Sequence, residues 1–270
     1  MPTYMGMING LDGVRDDSGT DAHPWAQWTR SWTAEEKRHG ESLGRYLWLT
    51  GRVSGKAIDG TVQRLIASGM NPGTENNPYL GFIYTSFQER ATKVCHGNTA
   101  RMAKQHGDDV LAKLTGLIAA DEGRHEVAYQ RIVAELGDRD PHGVVLALAD
   151  MMRKTIQMPA HNMDDGEHLD RTGRSLFTDY AAVAERLGVY SAYDYADILE
   201  YLLQRWSIGS RRVGEAGSAA DAQAWLMAQP QRVRRLAEIA ERRRKNARAG
   251  QAVTEAAQFS WIFNREVALH

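Results

Sequence analysis

The stretch Ala34-Glu35-Glu36-Lys37-Arg38-His39 returns in near-copy as Ala120-Asp121-Glu122-Gly123-Arg124-His125. On an α-helix, a Glu and a His three residues apart project from one face, so each copy can grip one metal ion from a single rigid rod. Two such rods imply two metals.

The surrounding periodicity supports helices at both places. Across residues 33–50, Glu36, His39, Leu43 and Tyr46-Leu47 recur at three- and four-residue steps, which sets the ligand pair on an apolar stripe. Residues 110–134 repeat the pattern through Leu111, Leu114, Ile118, Glu122, His125, Tyr129 and Ile132. Between them, 78–103 carries Phe82, Thr85, Glu89, Thr92, His96 and Thr99, a near-heptad stripe with a single carboxylate in its middle. Glu89 is therefore the candidate lone Glu.

Further helical patterns cover 143–158, 176–187 and 193–208, and Pro230 is placed to open a basic helix running to about 249. Residues 159–174 and 209–218 read as loops, and 259–263 as a short strand or hairpin. Facing helices that each carry Glu-x-x-His, joined by helices carrying a bridging Glu, form the two-metal carboxylate site of ferritin-like bundles. The expected fold is all-α, a ferritin-like helical bundle with additional C-terminal helices, with residues 1–270 as one domain.

Imidazole and carboxylate ligands suit iron, manganese or zinc; paired Glu-x-x-His with extra carboxylates favours two irons that together deliver two electrons to dioxygen. An oxidant able to attack an unactivated C–H bond has to be generated in a dry, apolar pocket, and a bundle core supplies one. Glu36 and His39 are assigned to one iron, Glu122 and His125 to the other, and Glu89 to a bridging or terminal position. Glu35 and Asp121, four residues before their histidines, are either surface carboxylates or groups that orient the imidazoles. Thr92, one turn beyond Glu89, could donate a hydrogen bond toward the metals and help deliver protons. The competing reading, solvated charges or buried ion pairs, leaves costly buried carboxylates unexplained.

Bulk properties narrow the function. The 270 residues are 43% hydrophobic and 25% charged, enough for a sizeable core, and a formal net charge of −1 gives no reason to expect a nucleic-acid partner. No apolar run approaches bilayer length. The lone Cys95 excludes an internal disulfide and suits a reducing compartment. The segment 1–12 lacks the marks of a signal or transit peptide, so cytoplasm is expected. His161, Asp164, Asp165, His168 and Asp170 read as an ordinary polar loop rather than a second metal site. Cys95 and His96 point about a hundred degrees apart on a helix, so they form no nucleophile pair. The arginines around 232–248 either attract an acidic carrier protein or form a solvated face partnered by Glu238 and Glu241.

Longer stretches carry a family likeness. Pro2-Thr3-Tyr4, Leu11-Asp12-Gly13-Val14-Arg15-Asp16, residues 28–39, the run 77–92 and Ala119-Ala120-Asp121-Glu122 resemble the soluble acyl-[acyl-carrier-protein] desaturases. So do Met151-Met152-Arg153-Lys154, Met158-Pro159-Ala160-His161, residues 194–200 and Ser260-Trp261-Ile262-Phe263, which extends the likeness over essentially the whole chain. The resemblance implies a homodimer in which a di-iron centre introduces a cis double bond into an acyl chain tethered to a carrier protein. It also implies electrons from reduced ferredoxin and an acyl channel lined by Met7, Gly10, Leu11, Pro72, Gly81 and Phe82. From the residues alone, those six are apolar or small positions that any core could hold.

The resemblance implies one more Glu ligand just upstream of the Pro-Thr-Tyr stretch, where this chain begins at Met1-Pro2. The expectation is an upstream true start, a first bundle helix shortened at its N-terminal end, and little or no desaturase activity in the 270-residue form. Rival readings are an impaired homologue acting as a binding or dimerisation module, and another di-iron oxidase without an acyl substrate. Acyl chain length and double-bond position depend on channel depth, which these residues do not define.

Overall fold

Caps and prolines start the helices that carry the cassettes. In the computed structural model, which describes residues 18–74, 77–250, 258–263 and 267–268, α1 (Pro24–Thr50) begins with Pro24 in its first turn and ends at Gly51 in the left-handed conformation, φ 63°. A second helix, α2 (Gly55–Ser68), follows at once. The third, α3 (Pro78–Gln105), is capped by Asn77, whose side chain accepts from Tyr79 N at 2.9 Å. Asp108 caps α4 (Asp109–Arg139) in the same way, and Asp140 caps α5 (Pro141–Lys154).

The long helices α3 and α4 run antiparallel. Tyr79 at the start of α3 donates to Asp140 beyond the end of α4, and Glu89 meets His125 midway. Helix α1 lies against α4 in the opposite direction: Trp28 Nε1 donates to Tyr129, His39 meets Asp121, and Tyr46 donates to Asp108. These three levels set both cassettes at one height. The rest of the chain adds α6 (His168–Thr172), α7 (Leu176–Arg186), α8 (Ala192–Arg205) and α9 (Ser218–Gly250). A small antiparallel pair, β1 (Gln258–Phe259) and β2 (Val267–Ala268), closes the described chain.

The apolar faces of α3, α4, α5 and α8 meet in one core, in which Ile83, Tyr84, Tyr129, Val144, Leu148 and Leu202 are 0% exposed. Burying each large apolar side chain contributes about 1.5–3 kcal/mol before entropy is charged. The core thus lies to one side of the cassettes, and they form its polar edge. The fold is the expected all-α, ferritin-like bundle with additional C-terminal helices.

Four local readings change. Helix α5 starts two residues earlier than its apolar pattern and stops at Lys154, because Thr155 takes φ 63°. The expected loop 159–174 contains a 3-10 turn (Pro159–Asn162) and α6. Pro230 lies inside α9 rather than opening it. Ala219, Ala222 and Leu226, all buried, hold the preceding turns against the core, and packing outweighs the N–H that proline removes. Helix α2 was not foreseen, although Ile58, Val62, Leu65 and Ile66 recur at helical spacing; Thr61 is its buried residue, and Val62 and Ile66 stay exposed. Among the described residues no helix is long and apolar enough to cross a membrane.

Candidate metal centre

Glu36, Glu89, Glu122 and His125 offer ligand atoms that all lie within 4.8 Å of one another. They come from α1, α3 and α4, so the cluster exists only when those helices pack. Glu89, Glu122 and His125 are at most 3% exposed. His39 completes the far side, its Nδ1 3.4 Å from Glu122 Oε1 and 3.6 Å from Glu36 Oε2. His125 Nδ1 stands 3.1 Å from Glu36 Oε1 and 3.2 Å from Glu89 Oε2. Both imidazoles therefore turn Nδ1 inward, and all five side chains assigned from sequence converge.

The outward Nε2 atoms are held by the other cassette. His39 Nε2 lies 3.0 Å from Asp121 Oδ2, and His125 Nε2 lies 2.8 Å from Glu35 Oε2. The spacing suggested that each acid served the histidine of its own helix; the structure crosses them over. A carboxylate at i cannot curl round to the outer edge of a ring at i+4 when that ring points into the bundle, but a carboxylate on the facing helix meets it directly.

Trp32, not foreseen as a site residue, donates Nε1 to Glu89 Oε1 at 3.1 Å. Its position one turn before Glu36 on the inward stripe was the available signal. The Thr92 hydroxyl donates to the backbone carbonyls of Glu89 at 3.0 Å and Gln88 at 3.1 Å. It also sits close enough to Glu122 to favour that carboxylate's charged form. Its single proton thus has competing acceptors.

The buried acids and imidazoles shift one another's affinity for protons. Burial pushes Glu89 well above the usual carboxylate range, aided by Glu122 and Glu36. Burial acts on Glu122 and Glu36 in the same direction, but the neighbouring His125 and His39 outweigh it and hold both below that range. Burial disfavours the histidine cations, yet the surrounding carboxylates raise His39 to about 10 and His125 to about 12. Among the described residues, Glu36 Oε1 and His39 Nδ1 are buried with no well-aligned hydrogen bond, a costly arrangement unless something else fills their valence. A hard-to-borderline metal pair fits this mixed oxygen and nitrogen set.

Of the six acyl-channel positions, Met7, Gly10 and Leu11 lie outside the described residues. Pro72 is buried, and Gly81 and Phe82 are half-buried in the first turns of α3. Phe82 meets Trp25 edge-on at 5.2 Å and Tyr129 at 6.4 Å, forming an aromatic wall beside the cluster. The residues of the 161–170 loop do not converge: His168 is buried against Asp179 at 2.8 Å, and His161 stacks on Phe177. Cys95 is half-buried, its thiol pushed up to about 12 by burial.

A family model described as fatty acid desaturase matches residues 1–263. The sequence is 56% identical over 267 residues to stearoyl-[acyl-carrier-protein] 9-desaturase 1, chloroplastic, of Oryza sativa subsp. indica, covering 99% of this chain and 68% of that protein. It is 57% identical over 269 residues to stearoyl-[acyl-carrier-protein] 9-desaturase, chloroplastic, of Olea europaea, covering 100% and 66%. Against the acyl-[acyl-carrier-protein] desaturase, chloroplastic, of Cucumis sativus, identity is 54% over 269 residues, covering 100% and 65%. The chain thus spans about two thirds of the length of these curated relatives.

Proposed function

The chain belongs to the fatty acid desaturase family, and from that premise we propose that it introduces a cis double bond into a fatty acyl chain carried on an acyl carrier protein. The observation that carries this reading is the convergence of two Glu-x-x-His cassettes and Glu89 on one buried point. In the proposal Glu36 and His39 hold one iron, Glu122 and His125 the other, and Glu89 binds between or beside them. Iron at this place would supply the two-electron oxidation by dioxygen.

The chain's own residues do the rest. Glu35 and Asp121 orient the imidazoles, Trp32 fixes one oxygen of Glu89, and Thr92 holds a proton beside Glu122. Pro72, Gly81 and Phe82, with Met7, Gly10 and Leu11, would line the acyl channel, where the apolar wall excludes water from the reacting carbons. Reduced ferredoxin as electron donor and a homodimer belong to the same proposal. So does a single domain spanning 1–270. A reducing compartment suits Cys95; the sequence reading names the cytoplasm, and the relatives' names place those proteins in the chloroplast.

The test is iron content and product chromatography on one preparation, with stearoyl-carrier protein, a ferredoxin reducing system and oxygen. About two irons per chain and a monounsaturated product support the reading and overturn the expectation of little or no activity in the 270-residue form. Iron with oxygen consumption but no altered acyl chain points instead to another di-iron oxidase, and folded protein that takes up no iron points to a binding module; either overturns it.

A further inference from the structure

Each cassette carries an arginine immediately before its histidine, Arg38 and Arg124, and the fold uses them unequally. Glu35, with Oε2 on His125, places Oε1 3.2 Å from Arg124 Nη2. Asp121, with Oδ2 on His39, receives a hydrogen bond at Oδ1 from the same Nη2. One guanidinium nitrogen therefore meets the outer oxygen of both carboxylates, while each inner oxygen holds an imidazole from the opposite helix. Arg38 stands 3.6 Å from Glu35.

We propose that Arg124 is a positioning residue that locks His39 and His125 to one another, so that both rings present Nδ1 to the cluster in register. The inference rests on the two-metal reading above. A carboxylate held at one oxygen can pivot; held at both, it cannot, and the ring it grips inherits that restraint. Arg124 is 61% exposed, and exposed ion pairs contribute little by themselves. Its partners differ: Glu35 and Asp121 are each 24% exposed, and the rings beyond them only 2% and 9%. Releasing the guanidinium therefore acts inward, on buried rings, rather than on surface charge alone. The contact spans α1 and α4, so it ties together the two helices whose relative placement sets the distance between the proposed metals.

The experiment uses the full chain labelled with ¹⁵N-histidine, first free of metal. Two slowly exchanging ring Nε2–H protons are expected, one on each histidine, donated to Asp121 and Glu35. In Arg124→Ala both should exchange about tenfold faster, in keeping with the loss of about one hydrogen bond's worth of protection. Cobalt(II) affinity, titrated on the same protein, should fall about 10–100-fold. Arg124→Lys, which keeps the charge on a more mobile and more strongly hydrated head, should fall between wild type and the alanine variant. Arg38→Ala should leave both ring protons protected. Unchanged exchange in Arg124→Ala overturns the proposal, as does an equal effect in Arg38→Ala, which would reduce it to surface charge. Should the alanine variant fail to fold, Arg124→Gln is read by the same criteria. Wild-type protein that protects both ring protons yet binds no cobalt would sink the metal reading and leave the clamp standing.

Discussion

Asp121 on α4 holds the Nε2 of His39 on α1 at 3.0 Å, across the bundle from the histidine of its own cassette. Glu35 returns the favour to His125, so each helix orients the ring that the other contributes. Neither half of the site is complete in an isolated helix. Folding and assembly of the candidate metal site are therefore one event.

The crossed pairing predicts which ring each acid controls. Asp121→Ala should shift and broaden the ring resonances of His39 while leaving those of His125 nearly in place, and Glu35→Ala should do the reverse. Each should weaken metal binding about 10–100-fold, since removing an outer partner frees the ligand to rotate. Histidine-selective NMR of the single variants checks the assignment. Disturbance of the same-helix ring alone would refute it.

Trp32 predicts a cost that is independent of metal. Its Nε1 donates to Glu89 Oε1 at 3.1 Å, and both residues are buried. Trp32→Phe keeps most of the apolar volume but strands an oxygen with no water to replace the donor. The metal-free protein should lose about 1–3 kcal/mol. Urea unfolding with an unchanged slope and a lower midpoint would show it; an unmoved midpoint would mean that Glu89 finds another donor.

The legible part of the molecule follows from which groups point inward. Glu36, Glu89, Glu122 and their histidines stood out because a charged residue on an apolar stripe demands an explanation, and the bundle fold followed from the same stripes. The partners of the histidines were less legible. Asp121 and Glu35 could be named from spacing, but which ring each reaches depends on the facing of α1 and α4, a tertiary fact. Trp32 was not singled out, because an indole on an apolar stripe is ordinarily plain core. Helix α2 carries a short stripe, Ile58, Val62, Leu65 and Ile66, that was passed over, and Gly55 at its start looks like a breaker. Yet a Cβ there would come within 2.7 Å of the Trp48 ring, so the glycine serves a close approach. Pro230 misled for the opposite reason: a local rule about first turns yielded to the packing of Leu226 and its neighbours.

Acid should weaken the link at the far end of α1. Tyr46 donates to Asp108, which also caps α4 through Leu111 N at 3.0 Å. The Tyr46 hydroxyl, with that backbone N–H, holds the Asp108 carboxyl below its ordinary value. A depressed folded-state value means stability that is fully present above the unfolded value of about 3.9. It is lost as pH falls through the folded value. Tyr46→Phe should therefore melt below wild type at pH 7, with the difference shrinking steadily below about pH 4. Parallel melting curves at both pH values would contradict the assignment.

Gly137 sets helix propensity against packing, and the outcome has a definite sign. It lies buried near the end of α4, where alanine would ordinarily gain about 0.5–1 kcal/mol over glycine. A Cβ at this position would fall 2.5 Å from the Arg211 guanidinium carbon. That guanidinium is pinned on three sides: Nε donates to Trp206 O at 2.8 Å, Nη2 to Ala134 O at 3.3 Å, and Nη1 pairs with Asp138 at 3.0 Å. Moving it aside breaks bonds to two backbone carbonyls in a part-buried setting, at about 1–3 kcal/mol, which exceeds the propensity gain. Gly137→Ala should therefore be net destabilising, and Gly137→Ala combined with Arg211→Ala should cost less than the sum of the two single changes. Urea midpoints for the four proteins of that cycle decide it: a stabilised single variant, or strict additivity, would show that Arg211 swings away freely and that the glycine is there for some other reason.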